Sequence, residues 1–219
     1  MTRSEPDTPA VVWARTMTAN PRLAAEVAWV NAESTTTYRL HEGGAAVAYL
    51  KVGVGPLAGE RDRFLWLRDR IAVPDVLGFR SNPDGDWLLT AALGGAALNR
   101  PEHTAQPHRL VRLLVSALKR LHSLDPAGCP FGDADAGGTV IHGDATLPNF
   151  LFDGTEFTGC LDVGDLGRGH PEADLAAAIW SLNYNLGPGF GGELLREYGW
   201  PDTDDATVER LRRRAWQPE

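Results

Sequence analysis

The chain has 219 residues, of which 43% are hydrophobic and 23% charged, and its formal net charge is −8 at pH 7. This length allows one large domain or two small lobes, and the acidic balance argues against nucleic acid as a partner. No apolar run is long enough to cross a membrane, and residues 1–10 lack a signal-peptide pattern. With two cysteines and no disulfide framework, we expect a cytoplasmic protein.

The N-terminal half predicts an antiparallel sheet. Strands are expected at residues 26–30, 38–40, 45–52, 73–79 and 86–92. The strand that contains Pro74 should lie at an edge of the sheet, because proline cannot donate a ladder hydrogen bond. The polar residues 31–37 are compatible with two structures, an ordinary strand entry or a loop that covers phosphates.

A lysine and a glutamate stand out within this half. Lys51 ends an apolar strand, and a helix is predicted at residues 57–70, where Glu60 shares a face with Phe64. Because burying an unpaired carboxylate is costly, Glu60 should have a cationic partner, and Lys51 could supply it. Alternatively, Lys51 simply extends its ammonium group into water.

The C-terminal half predicts mainly helices. Residues 105–124 carry a continuous apolar stripe at helical spacing, and shorter helices are expected at 175–182, 193–198 and 205–215. The arginines at 210 and 212–214 fit the solvated face of the last of these helices. Cys160 lies in an apolar strand and is interpreted as a buried thiol.

Residues 142–162 carry the strongest functional pattern. Two apolar strands, 150–152 and 157–161, flank an Asp-Gly turn, which is a hairpin signal. The hairpin brings Asn149 and Asp162 to the same end of the two strands, and Asp144 lies in the loop just before. These oxygen-bearing side chains suit Mg²⁺, which usually shares its ligands with phosphates.

The spacing of these residues is typical of kinases. His142, Asp144 and Asn149 follow the pattern H-x-D-x-x-x-x-N, and Asp162 precedes Val163-Gly164. In kinases the aspartate of this pattern accepts the proton of the substrate hydroxyl, while the asparagine and the later aspartate hold Mg²⁺.

The segment HGDATLPNFLFDGTEFTGCLDVGDLG, which starts at His142, resembles the catalytic segment of the aminoglycoside phosphotransferases, most closely the branch that phosphorylates kanamycin and neomycin. RLHSLDP at 120–126, CPF at 129–131 and DWLL at 86–89 resemble the same branch. The resemblance implies an α+β, two-lobed, protein-kinase-like fold. Its N-terminal lobe, residues 1–92, would be an antiparallel sheet with one helix, and its C-terminal lobe, 93–219, mainly helical, with a hinge near 90–95.

The resemblance also implies a role for each candidate residue of the catalytic loop. Asp144 would orient the acceptor hydroxyl and take its proton, while Asn149 and Asp162 would hold Mg²⁺. His142 would be a scaffold residue, although it could be mistaken for the base. Asp174, at the start of a helix, would support the catalytic loop.

The nucleotide, ATP or GTP, would be bound by residues of the N-terminal lobe. Lys51, held by Glu60, would grip the phosphates, and Tyr49 on the same strand face would lie against adenine. Backbone groups near Ala91 and Leu93 would read the adenine edge.

The sequence departs from this family around the acceptor. Relatives have some tens of additional residues before the catalytic loop, where this chain has only 132–139, and an acidic aromatic tail where this chain has 215–219. Asp165 stands where relatives commonly have arginine. The resemblance alone implies a small, cationic acceptor, an aminoglycoside, and the departures imply that its site is shortened. The alternatives are a kinase of another hydroxylated metabolite, or a nucleotide-binding protein with a degenerate acceptor site. The sequence does not predict an oligomeric state.

Overall fold

A computed structural model describes residues 8–31, 35–132 and 138–214. Three segments discussed above lie outside the described part of the chain. They are part of the candidate phosphate loop (32–34), part of the shortened segment (133–137) and the tail (215–219). The chain forms two compact units, residues 1–68 with 74–93, and residues 69–73 with 94–219.

The first unit is built on a five-stranded antiparallel sheet with the strand order β1-β2-β3-β5-β4. The strands are β1 (Ala24–Val30), β2 (Thr36–Glu42), β3 (Ala45–Gly53), β4 (Val76–Asn82) and β5 (Gly85–Ala91). The predicted edge strand is confirmed as β4, although it begins two residues after Pro74. On β3, Lys51 pairs with Thr37 of β2 and with Leu88 of β5, so the lysine lies on the central strand of the sheet.

A helix that the sequence interpretation missed covers this sheet. Helix α1 (Pro9–Met17) begins after Thr8, whose hydroxyl accepts the Val11 N–H at 3.3 Å. A threonine cap followed by proline is a helix-start signal. Val11 packs with buried residues of the sheet, and Trp13 contacts Trp87 with ring centroids 5.7 Å apart.

Helix α2 (Ala58–Leu67) is shorter than the predicted 57–70. Its buried residues are Glu60, Phe64 and Leu67, as its face pattern predicts. The next five residues, 69–73, group with the second unit, because the Ala72 carbonyl accepts the N–H of Cys160 at 3.1 Å. A single cut of the chain near residue 92 therefore does not separate the two units.

The second unit is mainly helical. Its helices are α3 (Pro101–Thr104), α4 (Pro107–His122), α5 (Glu172–Leu186), α6 (Gly191–Tyr198) and α7 (Asp205–Arg214). Its short strands are β6 (Ala96–Ala97), β7 (Thr139–Ile141), β8 (Phe150–Asp153), β9 (Glu156–Cys160) and β10 (Gly167–Gly169). The apolar stripe of α4 is buried and packs with α5 and α6. None of the helices in the described ranges is long and apolar enough to cross a membrane.

Candidate active site

The predicted hairpin positions the ends of the catalytic loop. Strands β8 and β9 pair antiparallel with Phe150 opposite Cys160, and the Leu161 N–H donates to the Asn149 carbonyl at 2.9 Å. Asn149 and Asp162 therefore lie at the same end of the hairpin, as the sequence predicts. Cys160 is fully buried, which raises the pKa of its thiol to about 12, so it is an inert core residue.

The loop itself depends on a glycine. Gly143 has φ +85°, a left-handed conformation that side chains disfavour. A Cβ at this position would come within 2.5 Å of the Asp165 carbonyl oxygen. Both constraints exclude other residues, so glycine at 143 allows the chain to turn between His142 and Asp144.

His142 is a scaffold residue. Its ring is fully buried, with Nε2 2.9 Å from the Leu161 carbonyl oxygen. Since a carbonyl only accepts, Nε2 carries the proton and donates, which leaves Nδ1 to accept the Asp144 N–H at 3.3 Å. Both ring nitrogens are thus engaged in hydrogen bonds. It links the residue before Asp162 to the backbone of Asp144.

Asp174 supports the catalytic loop through hydrogen bonds to its backbone, as expected. The carboxylate is completely buried, and its Oδ2 accepts the His142 N–H at 2.7 Å while Oδ1 accepts the Gly143 N–H at 2.9 Å. The Nε2 of His122 lies 2.9 Å from Oδ2, and its Nδ1 lies 2.8 Å from the Tyr198 hydroxyl. This network fixes the backbone on the N-terminal side of Asp144 with charge-assisted hydrogen bonds.

Asp144 and Asn149 contact each other directly. The Asn149 Nδ2 donates to the Asp144 carboxylate and to its main-chain carbonyl, both at 2.9 Å. Burial raises the pKa of Asp144, and the nearby charge of Asp162 raises it further. A partly desolvated carboxylate with a raised pKa is a better proton acceptor than one in water.

Asp162 has an unusual backbone conformation. With φ +55° it is one of two non-glycine residues in the described ranges with a positive φ. Such residues cost of the order of 1–3 kcal/mol and cluster at functional sites. This conformation places the exposed Asp162 two residues after the end of strand β9.

Oxygen atoms at this site suit a divalent cation. The Asn149 amide nitrogen faces Asp144, so its Oδ1 is the side-chain atom that could serve as a metal ligand, and the carboxylates of Asp144 and Asp162 are close enough to interact electrostatically. In the described ranges no group of three or more His, Cys, Asp and Glu side chains forms a complete metal site. A Mg²⁺ ion at Asn149 and Asp162 would therefore need phosphate oxygens, which is how proteins usually bind this ion.

A cavity of about 400 Å³ opens beside Asp144, a volume typical of sites for small molecules. Its described lining residues are Gly143, Asp144, Thr146, Ala173, Ala176, Ala177, Trp180 and Arg214. Four of the eight described lining residues come from one face of α5, which presents Ala173, Ala176, Ala177 and Trp180 at helical spacing. Asp174, which holds the loop, lies on an adjacent face of the same helix, about 100° round from Ala173.

The C-terminal arginines are exposed, as the sequence predicts, and two of them also form ion pairs that the sequence did not indicate. Arg212 and Arg213 are exposed and pair with Glu209, as a solvated face would. Arg210 and Arg214 instead form ion pairs with Glu172 at the start of α5. Arg214 also lines the cavity. The sequence interpretation missed this because the contact joins residues far apart in the chain, which helical periodicity does not report.

In the first unit, the expected ion pair is present. Lys51 Nζ lies 2.7 Å from one Glu60 carboxylate oxygen and 2.9 Å from the other. The Glu60 side chain is 5% exposed and the Lys51 side chain 24%. The lysine thus has a fixed position with its side chain partly exposed, which excludes the alternative of a side chain that merely extends into water.

The predicted adenine contacts are only partly available. Tyr49 lies on β3 opposite Thr90 and is half-buried, and Leu93 follows the end of β5. The Ala91 N–H, however, donates to the Asp75 carbonyl at 2.8 Å. Adenine could use this donor only if that hydrogen bond broke. Of the two backbone groups of Ala91, the carbonyl is therefore the one expected to contact adenine.

The geometry defines a class of protein. An antiparallel sheet with a Lys–Glu pair, together with a helical unit that carries the Asp144 loop, is the arrangement of a kinase-type phosphotransferase. Residues 30–138 and 134–212 match the family described as the phosphotransferase enzyme family. The chain belongs to this family.

Sequence relatives agree with the predicted branch. An aminoglycoside 3'-phosphotransferase from Escherichia coli is 27% identical over 226 residues, with 80% of this chain and 83% of the relative covered. One from Streptomyces fradiae is 31% identical over 196 residues, with 65% of this chain and 72% of the relative covered. The predicted resemblance to aminoglycoside phosphotransferases is confirmed.

Solved structures agree as well. An aminoglycoside-3'-phosphotransferase of type VIII superimposes with a TM-score of 0.75 and 25% identity, over 94% of this chain and 98% of that one. An aminoglycoside phosphotransferase from Streptomyces rimosus gives a TM-score of 0.71 at 21% identity, over 92% of this chain and 94% of that one. The predicted protein-kinase-like fold is confirmed.

The comparisons also bear on the shortened segment. The alignment with the E. coli relative spans 226 residues, more than the 219 of this chain, while taking in only 80% of it. The relative therefore has residues within the aligned region that this chain lacks. The two parts of the family match meet at residues 134–138, within the segment that the sequence analysis identifies as short.

Proposed function

We propose that this protein transfers the γ-phosphoryl group of ATP to a hydroxyl of an aminoglycoside, with the consequence of resistance to that drug. The observation that carries the proposal is the position of Asp144, which lies at the wall of a cavity of about 400 Å³ and in contact with Asn149. One group accepts a proton there, and the other offers an oxygen to a cation. We also propose a cytoplasmic location, because the reaction consumes ATP.

The chemistry follows from positioning. An acceptor in the cavity would present its hydroxyl to the Asp144 carboxylate, which takes the proton as the oxygen attacks the phosphorus. Asp174 and His142 hold the loop so that this carboxylate needs no rearrangement, and pre-organisation of this kind contributes much of the rate in such reactions. Lys51, fixed by Glu60, would bind phosphate oxygens and offset their charge.

Mg²⁺ would be held by Asn149 and Asp162, and when bound it neutralises the charge of the phosphates. ATP is proposed as the donor because similar structures contain adenine nucleotides: the S. rimosus aminoglycoside phosphotransferase with ADP and streptomycin, and a thermostable mutant of another aminoglycoside phosphotransferase with AMP-PNP and hygromycin B. GTP remains the alternative donor.

A second acceptor class has its own support. Apart from Asp144, the described wall of the cavity consists of small residues, a threonine, an aromatic ring and a guanidinium, where a polyamine would be better held by several carboxylates. This composition favours a kinase of a less cationic hydroxylated molecule, with the same catalytic residues.

The nucleotide half of the proposal can be tested by calorimetry with Mg-ATP. Asp162→Ala should abolish the Mg²⁺-dependent part of binding, and Lys51→Ala should weaken binding and slow transfer, because each removes a charge that faces the phosphates. Asp84 lies in the turn between β4 and β5, outside the proposed site. The variant Asp84→Ala therefore serves as a control for the general effect of losing a carboxylate. Wild-type affinity in both site variants would show that this is not a kinase nucleotide site.

The acceptor half is tested by steady-state phosphorylation of kanamycin, neomycin and a panel of neutral hydroxylated metabolites. We expect weak turnover of kanamycin, because the shortened segment removes part of the wall and a misplacement of about 1 Å can cost about 10²-fold in rate. Turnover of a panel metabolite alone would favour the second acceptor class. Mg-ATP binding without transfer to any of these compounds would contradict both.

A further inference from the structure

The charges that face the acceptor are unusual for a site that takes polyamines. Of the described residues that line the cavity, the ionisable ones are Asp144 and Arg214. Asp144 is committed to the reacting hydroxyl and to Asn149. The wall therefore presents a fixed positive charge and no further carboxylate among the described residues, although an aminoglycoside carries several ammonium groups.

Arg214 is held in place by a shared carboxylate. Its Nη1 lies 3.0 Å from Glu172 Oε2, and Arg210 pairs with the other oxygen of the same carboxylate. The two guanidiniums lower the pKa of Glu172, with the hydrogen bond from Arg210 as the first cause. One negative charge thus offsets two positive ones, and because a guanidinium does not lose its proton in proteins, this edge of the cavity stays cationic.

From these positions we infer that Arg214 is a specificity-determining residue that disfavours polycationic acceptors and favours a hydroxylated molecule with a neutral or anionic face. The inference rests on the proposed function, since it assumes that the acceptor occupies this cavity. An ammonium group brought near Arg214 meets a like charge, and such contacts are strongly unfavourable at an interface. A neutral face would pack on Trp180 and the alanines of α5 without that cost.

A simpler role for Arg214 is to fasten α7 to α5 through Glu172. The two roles differ in what Arg210 does, because Arg210 joins the same carboxylate but does not line the cavity. If fastening were the only role, loss of either arginine would change acceptor kinetics alike. If charge in the cavity matters, only Arg214 affects the preference among acceptors.

The experiment compares Arg214→Glu and Arg214→Gln with Arg210→Gln and Arg213→Glu. Arg213 lies on the same helix, 75% exposed and paired with Glu209, so its reversal changes net charge equally without altering the cavity. The acceptors are neomycin, kanamycin, which has fewer amines, and kanamycin with its amines acetylated. Each is measured for kcat and KM of phosphorylation, and for binding to the nucleotide-loaded protein by calorimetry, at low and physiological salt.

We expect Arg214→Glu to lower the KM and Kd for neomycin by about tenfold or more, kanamycin by less, and acetylated kanamycin not at all. Arg214→Gln should give the same order of effects among the three acceptors, with smaller changes in KM and Kd. It replaces Arg214→Glu in the test if charge reversal beside Glu172 unfolds α7. The effect should shrink with salt, because screening weakens charge interactions. Arg210→Gln and Arg213→Glu should leave the ratio between acceptors at its wild-type value.

The inference is overturned if neomycin and acetylated kanamycin respond equally to the Arg214 variants, or if Arg213→Glu reproduces the change. Tighter neomycin binding in Arg214→Glu, with no phosphorylation in any protein, would support the charge filter and refute the proposed function. Efficient phosphorylation of neomycin by the wild type that the Arg214 variants do not alter would support the proposed function and refute the filter.

Discussion

Two faces of helix α5, one that carries Asp174 and one that lines the cavity, are stabilised by different interactions. On one face, Asp174 is completely buried, and three donors point at its carboxylate: two backbone N–H groups of the catalytic loop and the ring of His122. On the other face, Ala173 and Trp180 line an open cavity, and the nearby Glu172 pairs with arginines that are more than half exposed. Buried hydrogen bonds fix the contacts of the first face, while the surroundings of the second depend on a few solvent-screened ion pairs.

This difference separates two parts of the function. The position of the proton-accepting carboxylate is fixed by buried charge-assisted hydrogen bonds, which are strong and costly to break. The boundary of the acceptor cavity depends on surface ion pairs, which contribute little individually. Substitutions on the two faces should therefore differ in size and in the property they change.

The largest effect should come from the carboxylate that the buried face positions. We expect Asp144→Asn to lower kcat by about 10²–10⁴-fold, since a positioned proton acceptor contributes about that much. Stability should not fall. Burial raises the pKa of Asp144, so its ionised form costs the folded state free energy above the ordinary pKa, and the neutral amide removes that cost. Steady-state kinetics and thermal unfolding measure the two properties.

Asp153→Asn, at the exposed end of β8, is the matched control for Asp144→Asn because it lies outside the loop. Its kcat should equal that of the wild type. Near-normal turnover in Asp144→Asn would remove this carboxylate from the mechanism, whatever happens to stability.

A large loss of stability is expected for Asp174→Asn. Asparagine has one acceptor oxygen, so its amide group must face either the Gly143 N–H or the donors at Oδ2. Breaking a buried charged network of this kind costs about 3–5 kcal/mol, and kcat should fall because the loop loses its support. Urea unfolding gives the free-energy change, and kcat of the protein that remains folded gives the second effect.

The companion variant on the other face is Glu172→Gln, two residues earlier. Its partners are half-exposed arginines, so we expect a loss of only about 0.5–1 kcal/mol in the free energy of unfolding. The pKa of Glu172 is lowered in the folded state, so the contribution of this carboxylate is present at neutral pH and lost as the pH falls through that lowered value. Wild type and variant should therefore converge in urea unfolding at acid pH. Equal losses for the two variants at pH 7 would contradict the distinction between the faces.

The catalytic side of this comparison was predictable from sequence. The spacing of His142, Asp144 and Asn149 lies within one loop, and the Asp-Gly turn determines which ends of the strands meet. Lys51 and Glu60 were predicted as a pair because a carboxylate on an apolar helix face requires a cation. In each case a local pattern and one energetic argument were enough.

The acceptor side was not predictable in the same way. Arg214 reaches Glu172 across 42 positions of the chain, and nothing in the periodicity of either helix indicates which turn meets which. Trp180 carries no signal in the sequence that would assign it to a site, and only the packing of the unit shows that it borders a cavity. Helix α1 was a different kind of omission, since the Thr8-Pro9 cap signal was present in the sequence.

The arrangement of α5 has a consequence for how this enzyme could acquire new substrates. Asp174 and four of the described cavity residues belong to one helix, yet they lie on different faces, because successive residues of an α-helix are about 100° apart. A change at Ala173, Ala177 or Trp180 would reshape the substrate wall while the anchor of the catalytic loop stays where it is. Mutation can thus explore drug resistance profiles on one side of the helix at little risk to the chemistry on the other, and a library randomised at these three positions is a compact starting point for directed evolution.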